Sequence, residues 1–229
     1  MLDAFPPTIT ALNFSVTILI LAGFSFFSYK KKLLNNTGII IADIVGIIAF
    51  VLGGFLAFLT LVVFYIIAET ATKIARKDGQ KHEQRTTANI IGNSGAAIIA
   101  LFLGQGIAFF GAISAALADT VSSEIGMLSK KDPVLITNFK KVEKGTDGGI
   151  TFLGIVSGIA AAVLIGIIYY FTINPNKAII IVIAGIIGTL IDSILGATLE
   201  RKGTLNNTQV NFLASASGAI TAFLLSGII

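Results

Sequence analysis

The sequence predicts an all-α integral membrane protein, a polytopic helical bundle of about eight transmembrane helices, some of them short. Of its 229 residues, 55% are hydrophobic and only 12% are charged, roughly half the charged fraction of a typical soluble domain. Apolar runs of about 20 residues, the length that crosses the hydrocarbon core of a bilayer, recur along the whole chain. Residues 1–229 are therefore expected to form one transmembrane domain, in which 129–148 is the only loop long enough to form a small cytoplasmic feature.

Two regions decide the number of crossings. Residues 39–68 contain a single charged residue, Asp43, and as one helix they would measure about 45 Å against a hydrocarbon core of about 30 Å. The glycine pair at 53–54 therefore predicts a hairpin of two shorter helices. Residues 89–103 form one further short helix. Five longer runs each predict one crossing: 8–29, 106–128, 149–172, 178–199 and about 207–229.

The positions of the basic residues support this count. Fifteen of the 16 Lys and Arg residues lie in four loops, 30–32, 73–85, 130–144 and 201–202. With eight crossings, all four loops fall on one side of the membrane, and only Lys177 lies on the other. Because cytoplasmic loops concentrate Lys and Arg, this side is expected to be the cytoplasm, with both termini outside.

Composition excludes several kinds of functional site. The chain has no Cys and a single His, His82, so disulfides, thiolate metal sites, a Cys nucleophile and a His-based triad are not expected. The basic residues follow the pattern that encodes membrane topology. Nucleic acid is therefore not an expected partner.

Polar residues inside or beside the predicted helices gather at their cytoplasmic ends. Such residues are costly in lipid and by default mark a buried polar cavity. Glu124 follows Asp119 by five residues, which puts it about 140° around an ideal helix, so it reaches the same site only through a distortion or meets another partner. The polar residues are Asp43, Glu69, Asn89, Asn93, Asp119, Ser122, Ser123, Glu124, Asp147, Asp192, Ser193, Asn207 and Asn211.

These side chains and the neighbouring loops indicate phosphoryl chemistry. Carboxylate, amide and hydroxyl oxygens suit a hard cation such as Mg²⁺, which usually binds one or two carboxylates together with substrate phosphates. The turn Gly145–Gly149 leads into a predicted helix, where its amides could cradle an anion. For the acidic residues, ion conduction and structural hydrogen bonding remain alternatives. Cations suited to phosphate are Lys73, Arg76, Lys77, Arg85, Lys140, Lys141 and Lys144.

Four ordered motifs resemble the transmembrane protein 19-like family. They are the segments 119–126 (DTVSSEIG), 142–151 (VEKGTDGGIT), 191–198 (IDSILGAT) and 206–212 (NNTQVNF), and an earlier block matches at Thr72-Lys73, Gln84-Arg85 and Asn89. The family includes plant and cyanobacterial phytyl-phosphate kinases and archaeal members. The resemblance implies a CTP-dependent kinase that converts an isoprenoid monophosphate, such as phytyl or geranylgeranyl phosphate, to the diphosphate at the membrane.

The resemblance also implies roles for individual residues. Asp119 and Asp192 would be the principal metal ligands and would act in catalysis with Lys73 and Arg85. Glu124 would be a further metal ligand, with Asn89, Asn207 and Asn211 as auxiliary ligands or orienters. The phosphate clamps would be Lys73, Arg85 and Lys144. Two positions depart from the family pattern: Glu69 stands where a small or hydroxyl residue is expected, and Glu200 where Gln is usual. Residues expected to bind the nucleotide or its Mg²⁺ are Asn89, Asn93, Ser123, Lys144, Gly145, Thr146, Asp147, Gly148, Gly149 and Asn207.

The expected arrangement has CTP and Mg²⁺ at the cytoplasmic mouth and the isoprenoid tail between apolar helices. A lipid cytidylyltransferase that transfers CMP from CTP would need similar residues and is the first alternative. A small ion or solute transporter is the second, since it also carries acidic residues in its helices. Its polar residues should trace a path across the membrane, whereas here they stop halfway, which favours an enzyme.

Overall fold

The computed structural model describes residues 9–76 and 86–228 and confirms an all-α membrane fold. Six of its helices are long and apolar enough to cross a membrane, and one shorter apolar helix accompanies them. Four residues named above lie outside the described residues: the expected phosphate clamp Arg85, the phosphate-suited cation Lys77, the motif residue Gln84 and His82. The helices are α1 (Ala11–Lys31), α2 (Asn36–Ala75), α3 (Thr87–Phe102), α4 (Gly106–Gly126), α5 (Phe152–Thr172), α6 (Ala178–Leu195) and α7 (Asn207–Ser226).

Helix α2 is the predicted hairpin. Its helical geometry breaks at Gly54, whose φ of 71° and ψ of −172° suit glycine alone. Ala42 and Tyr65 pack in the same cluster around Ile39, although in a straight helix they would be about 35 Å apart. The chain therefore reverses at Gly54, and α2 contributes two antiparallel arms. With these arms counted separately, the described residues form eight helical segments.

Helix α4 is the centre of the bundle. It packs against α2, α3, α5, α6 and α7, and its side chains from Phe109 to Ala118 are buried. Small residues allow these close approaches, since a Cβ on Gly111 would lie 2.5 Å from the Cβ of Ala222 in α7. On another face, the ring of Phe110 meets that of Tyr169 edge-on, at 5.1 Å between centroids. The core thus sits around one buried helix.

The motif residues meet at one end of the bundle, which we call the polar end. It contains the C-terminal ends of α1, α4, α6 and the second arm of α2, and the N-terminal ends of α3, α5 and α7. Contacts between elements fix this arrangement: Thr72 donates a hydrogen bond to Glu124 at 2.7 Å, and Gly92 packs on the backbone of Thr208. At the opposite end, Lys177 reaches the carbonyl of Ser226 at 3.3 Å.

The connections at the polar end differ in two places from the prediction. The 149–172 run was expected to be helical from its first residue, but Gly149–Ile150 forms a short strand, β2, antiparallel to β1 (Val134–Leu135), and α5 begins only at Phe152. The end of the 178–199 run is a π-helical turn, Gly196–Glu200, rather than regular α-helix. Both irregular segments border the candidate site.

Candidate active site

Asp119 of α4 and Asp192 of α6 meet at the centre of the polar end. The two helices run parallel with matching spacing, so that Ala115 contacts Gly188 one turn before the two aspartates. The carboxyl groups of Asp119 and Asp192 lie close enough to interact directly with each other. Adjacent carboxylates repel, so such a contact requires a shared proton or a cation between them. The structure therefore brings together the two residues on which the sequence-based metal site depends.

Further negative charge surrounds this pair. Glu200, on the π-helical turn after α6, lies close enough to add its charge to both aspartates, and Asp147 adds its charge to that of Asp192 and Glu200. The amide of Asn207, at the start of α7, lies beside the Glu200 carboxylate and favours its charged form. π-Helical turns inside α-helices are frequent at functional sites. Sequence reasoning gave Glu200 no role, and only its position eight residues after Asp192 could have signalled one.

The donor set of this cluster fits Mg²⁺. Oδ2 of Asp192 is buried and has no hydrogen-bond partner among the described residues, which leaves one carboxylate oxygen available to a cation. Within those residues, no group of three or more Asp, Glu, His or Cys side chains closes on a common metal position. Mg²⁺ does not need one, because it keeps several waters and binds through one or two carboxylates plus phosphate oxygens. Asp119 and Asp192 would hold it.

Two pairs of asparagines form the rim between α3 and α7. Nδ2 of Asn211 lies 3.5 Å from Oδ1 of Asn207, and Gly92 packs against the Cβ of Asn211. On α3, Oδ1 of Asn89 accepts hydrogen bonds from the backbone and hydroxyl of Thr86, which caps the helix. Asn93 is buried one turn further on. Asn207 links this rim to the acidic cluster through Glu200.

Glu124 and Lys73 lie on the side of the site that faces α2. Oε1 of Glu124 accepts the hydrogen bond of Thr72. The spacing of Glu124 from Asp119 predicted either a helix distortion or a separate partner, and Thr72 is that partner. Nζ of Lys73 lies 3.6 Å from Glu69, and the lysine side chain is 59% exposed. Ser123 is exposed at the end of α4. These three expected site residues are at the polar end but not in the aspartate pair.

The Gly145–Gly149 loop contacts the end of α6. Gly148 has a φ of 73°, and a Cβ there would lie 2.5 Å from the Cα of Ala197, so only glycine allows this approach. It brings Asp147 beside Asp192. The expectation that the loop opens directly into a helix is wrong, because the amide of Gly149 donates to the carbonyl of Thr146 at 2.9 Å and the strand β2 follows.

Lys144, expected to bind the nucleotide, has two partners in its own segment. Its Nζ donates to the carbonyl of Met127 at 3.0 Å and to that of Ser129 at 2.5 Å. These bonds tie the loop back onto the end of α4. In this structure, the side chain of Lys144 therefore shapes the loop, while its backbone remains next to the Gly145–Gly149 turn.

A second feature of the polar half is an apolar cavity of about 380 Å³ between α1, both arms of α2 and the start of α3. Sequence patterns did not locate it, because its walls come from four helical segments whose mutual packing no local pattern encodes. Asn89 and Asn93 line its polar side. These two asparagines therefore belong both to the asparagine rim and to the wall of the cavity.

Comparisons with known proteins agree on one family. A model of the integral membrane protein DUF92 family matches residues 19–219. An uncharacterized membrane protein of Methanocaldococcus jannaschii is 37% identical over 227 residues, which cover 94% of this chain and 95% of the relative. Protein PGR of Arabidopsis thaliana is 33% identical over 220 residues, with 78% and 76% covered.

A second plant relative extends the match. Protein VTE6, chloroplastic, of Arabidopsis thaliana is 32% identical over 216 residues, which cover 84% of this chain and 65% of the relative. No solved structure matches the chain. The family model spans most of the eight helical segments, from within α1 to within α7. The chain therefore belongs to the DUF92 family of integral membrane proteins.

Proposed function

We propose that the protein is a prenyl-phosphate kinase, which transfers the γ-phosphoryl group of CTP to an isoprenoid monophosphate at the cytoplasmic face of the membrane. The observation that carries this proposal is the contact between Asp119 and Asp192, with a buried carboxylate oxygen that has no partner among the described residues. A carboxylate pair at one end of an apolar bundle can bind a metal-bound nucleotide that arrives from water. The apolar helices beside it can present an acceptor that arrives from the membrane.

Similarity supports the same chemistry. The motifs around Asp119, Gly148, Asp192 and Asn207 resemble those of a family that includes plant phytyl-phosphate kinases, and the chain is 32% identical to the chloroplastic protein VTE6 of a plant. All four motifs lie at the polar end. The resemblance therefore falls on the residues that the fold brings together, rather than only on the apolar helices that any membrane protein shares.

The reaction forms one P–O bond and breaks another. An oxygen of the prenyl phosphate attacks the γ-phosphorus of CTP, the bond from that phosphorus to the β,γ-bridging oxygen breaks, and CDP leaves with the electron pair. The acceptor phosphate is largely ionised at neutral pH, so no strong general base is required. Positioning and charge neutralisation are therefore the tasks left to the protein.

The residues of the site suit these tasks. Mg²⁺, when bound, supplies positive charge to the phosphate oxygens during transfer. Asp119 and Asp192 would hold the cation, and Asn207 and Asn211 would offer amide hydrogens to phosphate oxygens. The exposed ammonium of Lys73 could approach from the side of α2. In this arrangement, the acidic pair would fix the metal-bound nucleotide, and Lys73 would offset the charge that remains.

The test is phosphoryl transfer by the purified protein in nanodiscs. We expect γ-labelled CTP and geranylgeranyl monophosphate to yield labelled diphosphate and CDP in the presence of Mg²⁺. Asp119→Asn should abolish transfer, whereas Asp132→Asn, at an exposed carboxylate that pairs with Lys141 at 3.6 Å, should not. Pyrophosphate release with a CMP-lipid product would instead indicate a cytidylyltransferase, and turnover by Asp119→Asn would remove this residue from catalysis.

A further inference from the structure

The apolar cavity between α1, α2 and α3 has the dimensions of a ligand site. Its volume of about 380 Å³ lies within the range of about 300–1,000 Å³ that is typical of small-molecule pockets. Its deeper wall contains Leu21, Gly46 and Phe58, and its side toward the polar end contains Ser28 and Asn93. The seven-residue rise from Leu21 to Ser28 along α1 corresponds to about 10 Å. The cavity is thus a slot that runs along the helices.

The walls of this slot are held by close contacts. A Cβ on Gly46 would lie 3.0 Å from Cδ2 of Leu21 and 3.4 Å from Cε2 of Phe58, so the two arms of α2 and helix α1 are already in contact at its deep end. Nearer the polar end, the rings of Phe24 and Tyr65 meet edge-on at 4.9 Å. These contacts leave a defined apolar space instead of a loose gap between helices.

The chemistry of the slot changes along its length. Toward the polar end, its lining includes the amides of Asn89 and Asn93, and Oγ of Ser28 is buried with no hydrogen-bond partner among the described residues. The basic run Lys30–Lys32 follows Ser28 at the end of α1. An apolar slot with amides at one end, beside a helix that ends in lysines, is complementary to a molecule with a hydrocarbon tail and an anionic head.

We infer that this slot binds the hydrocarbon tail of the prenyl monophosphate, with the phosphate group directed to the asparagine rim. The inference rests on the proposed function, since it assigns the binding site of the lipid acceptor. Helix α3 links the slot to the acidic cluster. Asn93 lines the slot, and the adjacent Gly92 packs against Asn211. The side chain of Asn211 in turn contacts that of Asn207. The length of the slot then decides which tail lengths the protein accepts.

Two variants that narrow the slot from different helical arms test the assignment. Val45→Phe and Val62→Phe each add a ring to the lining, and the control Ile44→Phe adds the same ring at a position that is 45% exposed and outside the lining. For geranylgeranyl monophosphate, we expect KM to rise about tenfold or more in both slot variants. For dimethylallyl monophosphate, whose tail is short, KM should stay within about twofold of that of the unmodified protein.

A binding experiment separates this inference from the proposed function. Geranylgeranyl monophosphate with a diazirine at the end of its tail is photo-crosslinked to the full chain in nanodiscs without CTP. Labels on α1, α2 or α3 at the slot, lost in Val45→Phe and retained in Ile44→Phe, support the assignment even if no transfer to the lipid occurs. Thermal melting of each variant in nanodiscs verifies that it is folded.

Three results would overturn the assignment. The first is efficient phosphoryl transfer combined with labels elsewhere in the bundle, which would leave the kinase proposal intact. The second is a folded pair of slot variants with unchanged KM for both lipids. The third is equal displacement of the probe by phosphatidylcholine, because the slot would then hold ordinary bilayer lipid.

Discussion

Replacing Gly188 with alanine should separate the two aspartates of the candidate site. A Cβ at this position would overlap the Cβ of Ala115 and would lie 3.2 Å from its Cα and 3.0 Å from the carbonyl oxygen of Ala214. Gly188 precedes Asp192 by one turn, as Ala115 precedes Asp119. Any movement that relieves the overlap therefore increases the distance between the two carboxyl groups.

The size of the effect follows from contact distances. Non-bonded carbon atoms pack about 3.5–4.0 Å apart, so α4 and α6 must separate by about 1 Å to accept the new methyl group. A misplacement of about 1 Å can lower the rate of a chemical step by about 100-fold. Overpacking a tight core costs about 1–3 kcal/mol of stability, partly offset because alanine favours a helix over glycine by about 0.5–1 kcal/mol.

Gly23→Ala is the matched control, because a Cβ at Gly23 meets nothing within 4 Å. It has the same gain in helix propensity without the overlap, so it should melt at or above the temperature of the unmodified protein and retain full transfer activity. Gly188→Ala should melt at a lower temperature and lose about 100-fold in kcat. Adding Ala115→Gly to it removes the overlapped methyl group and should restore part of both losses.

The separation can also be measured without any enzymatic assay. The chain contains no Cys, so Asp119→Cys combined with Asp192→Cys provides the only two thiols for a short bifunctional reagent. Cross-linking should be rapid in this background and slower after Gly188→Ala. Equal cross-linking rates, together with unchanged melting, would refute the argument that the Ala115 contact sets the distance between the aspartates.

Two further predictions concern the surroundings of the pair. Glu200→Gln removes one negative charge beside Asp119 and Asp192. The Mg²⁺ concentration for half-maximal transfer should then rise by about 10- to 100-fold, the usual effect of altering a group next to the metal ligands. An unchanged Mg²⁺ titration would contradict this role. Thr72→Val removes the hydrogen bond to Glu124 and should lower the free energy of unfolding by about 1.5–3 kcal/mol, which thermal melting measures. Thr70→Val is the comparison that should melt normally, because its exposed hydroxyl bonds a carbonyl of its own helix.

The helices could be predicted because each has a local signal. Length against bilayer thickness required a turn within residues 39–68, and glycine at 54 supplied the positive φ for it. The cluster of polar residues at one end also follows from sequence once the crossings are counted. Asp119 and Asp192 could be grouped for this reason, although their direct contact depends on the parallel spacing of α4 and α6.

The remaining features depend on contacts between distant segments. The strand β2 exists because Gly149–Ile150 pairs with Val134–Leu135, and no periodicity within a two-residue strand could indicate this. Lys144 looked like a free cation, yet it bonds carbonyls 15 and 17 residues earlier in the chain. The position of Glu200 depends on a π-helical turn, which shifts side chains away from the directions that regular helical spacing predicts.

The acidic cluster is maintained by helix packing rather than by compensating charge. Two ion pairs of the described residues join Glu69 to Lys73 and Asp132 to Lys141, and neither involves Asp119 or Asp192. Two half-buried carboxylates side by side repel each other unless a proton or a cation lies between them. The small residues Ala115 and Gly188 let α4 and α6 pack closely, and this packing holds the two aspartates near each other. On the proposed function, the metal-nucleotide complex would supply the cation that relieves this repulsion. The packing that holds the two aspartates close therefore also prepares the site for its cation.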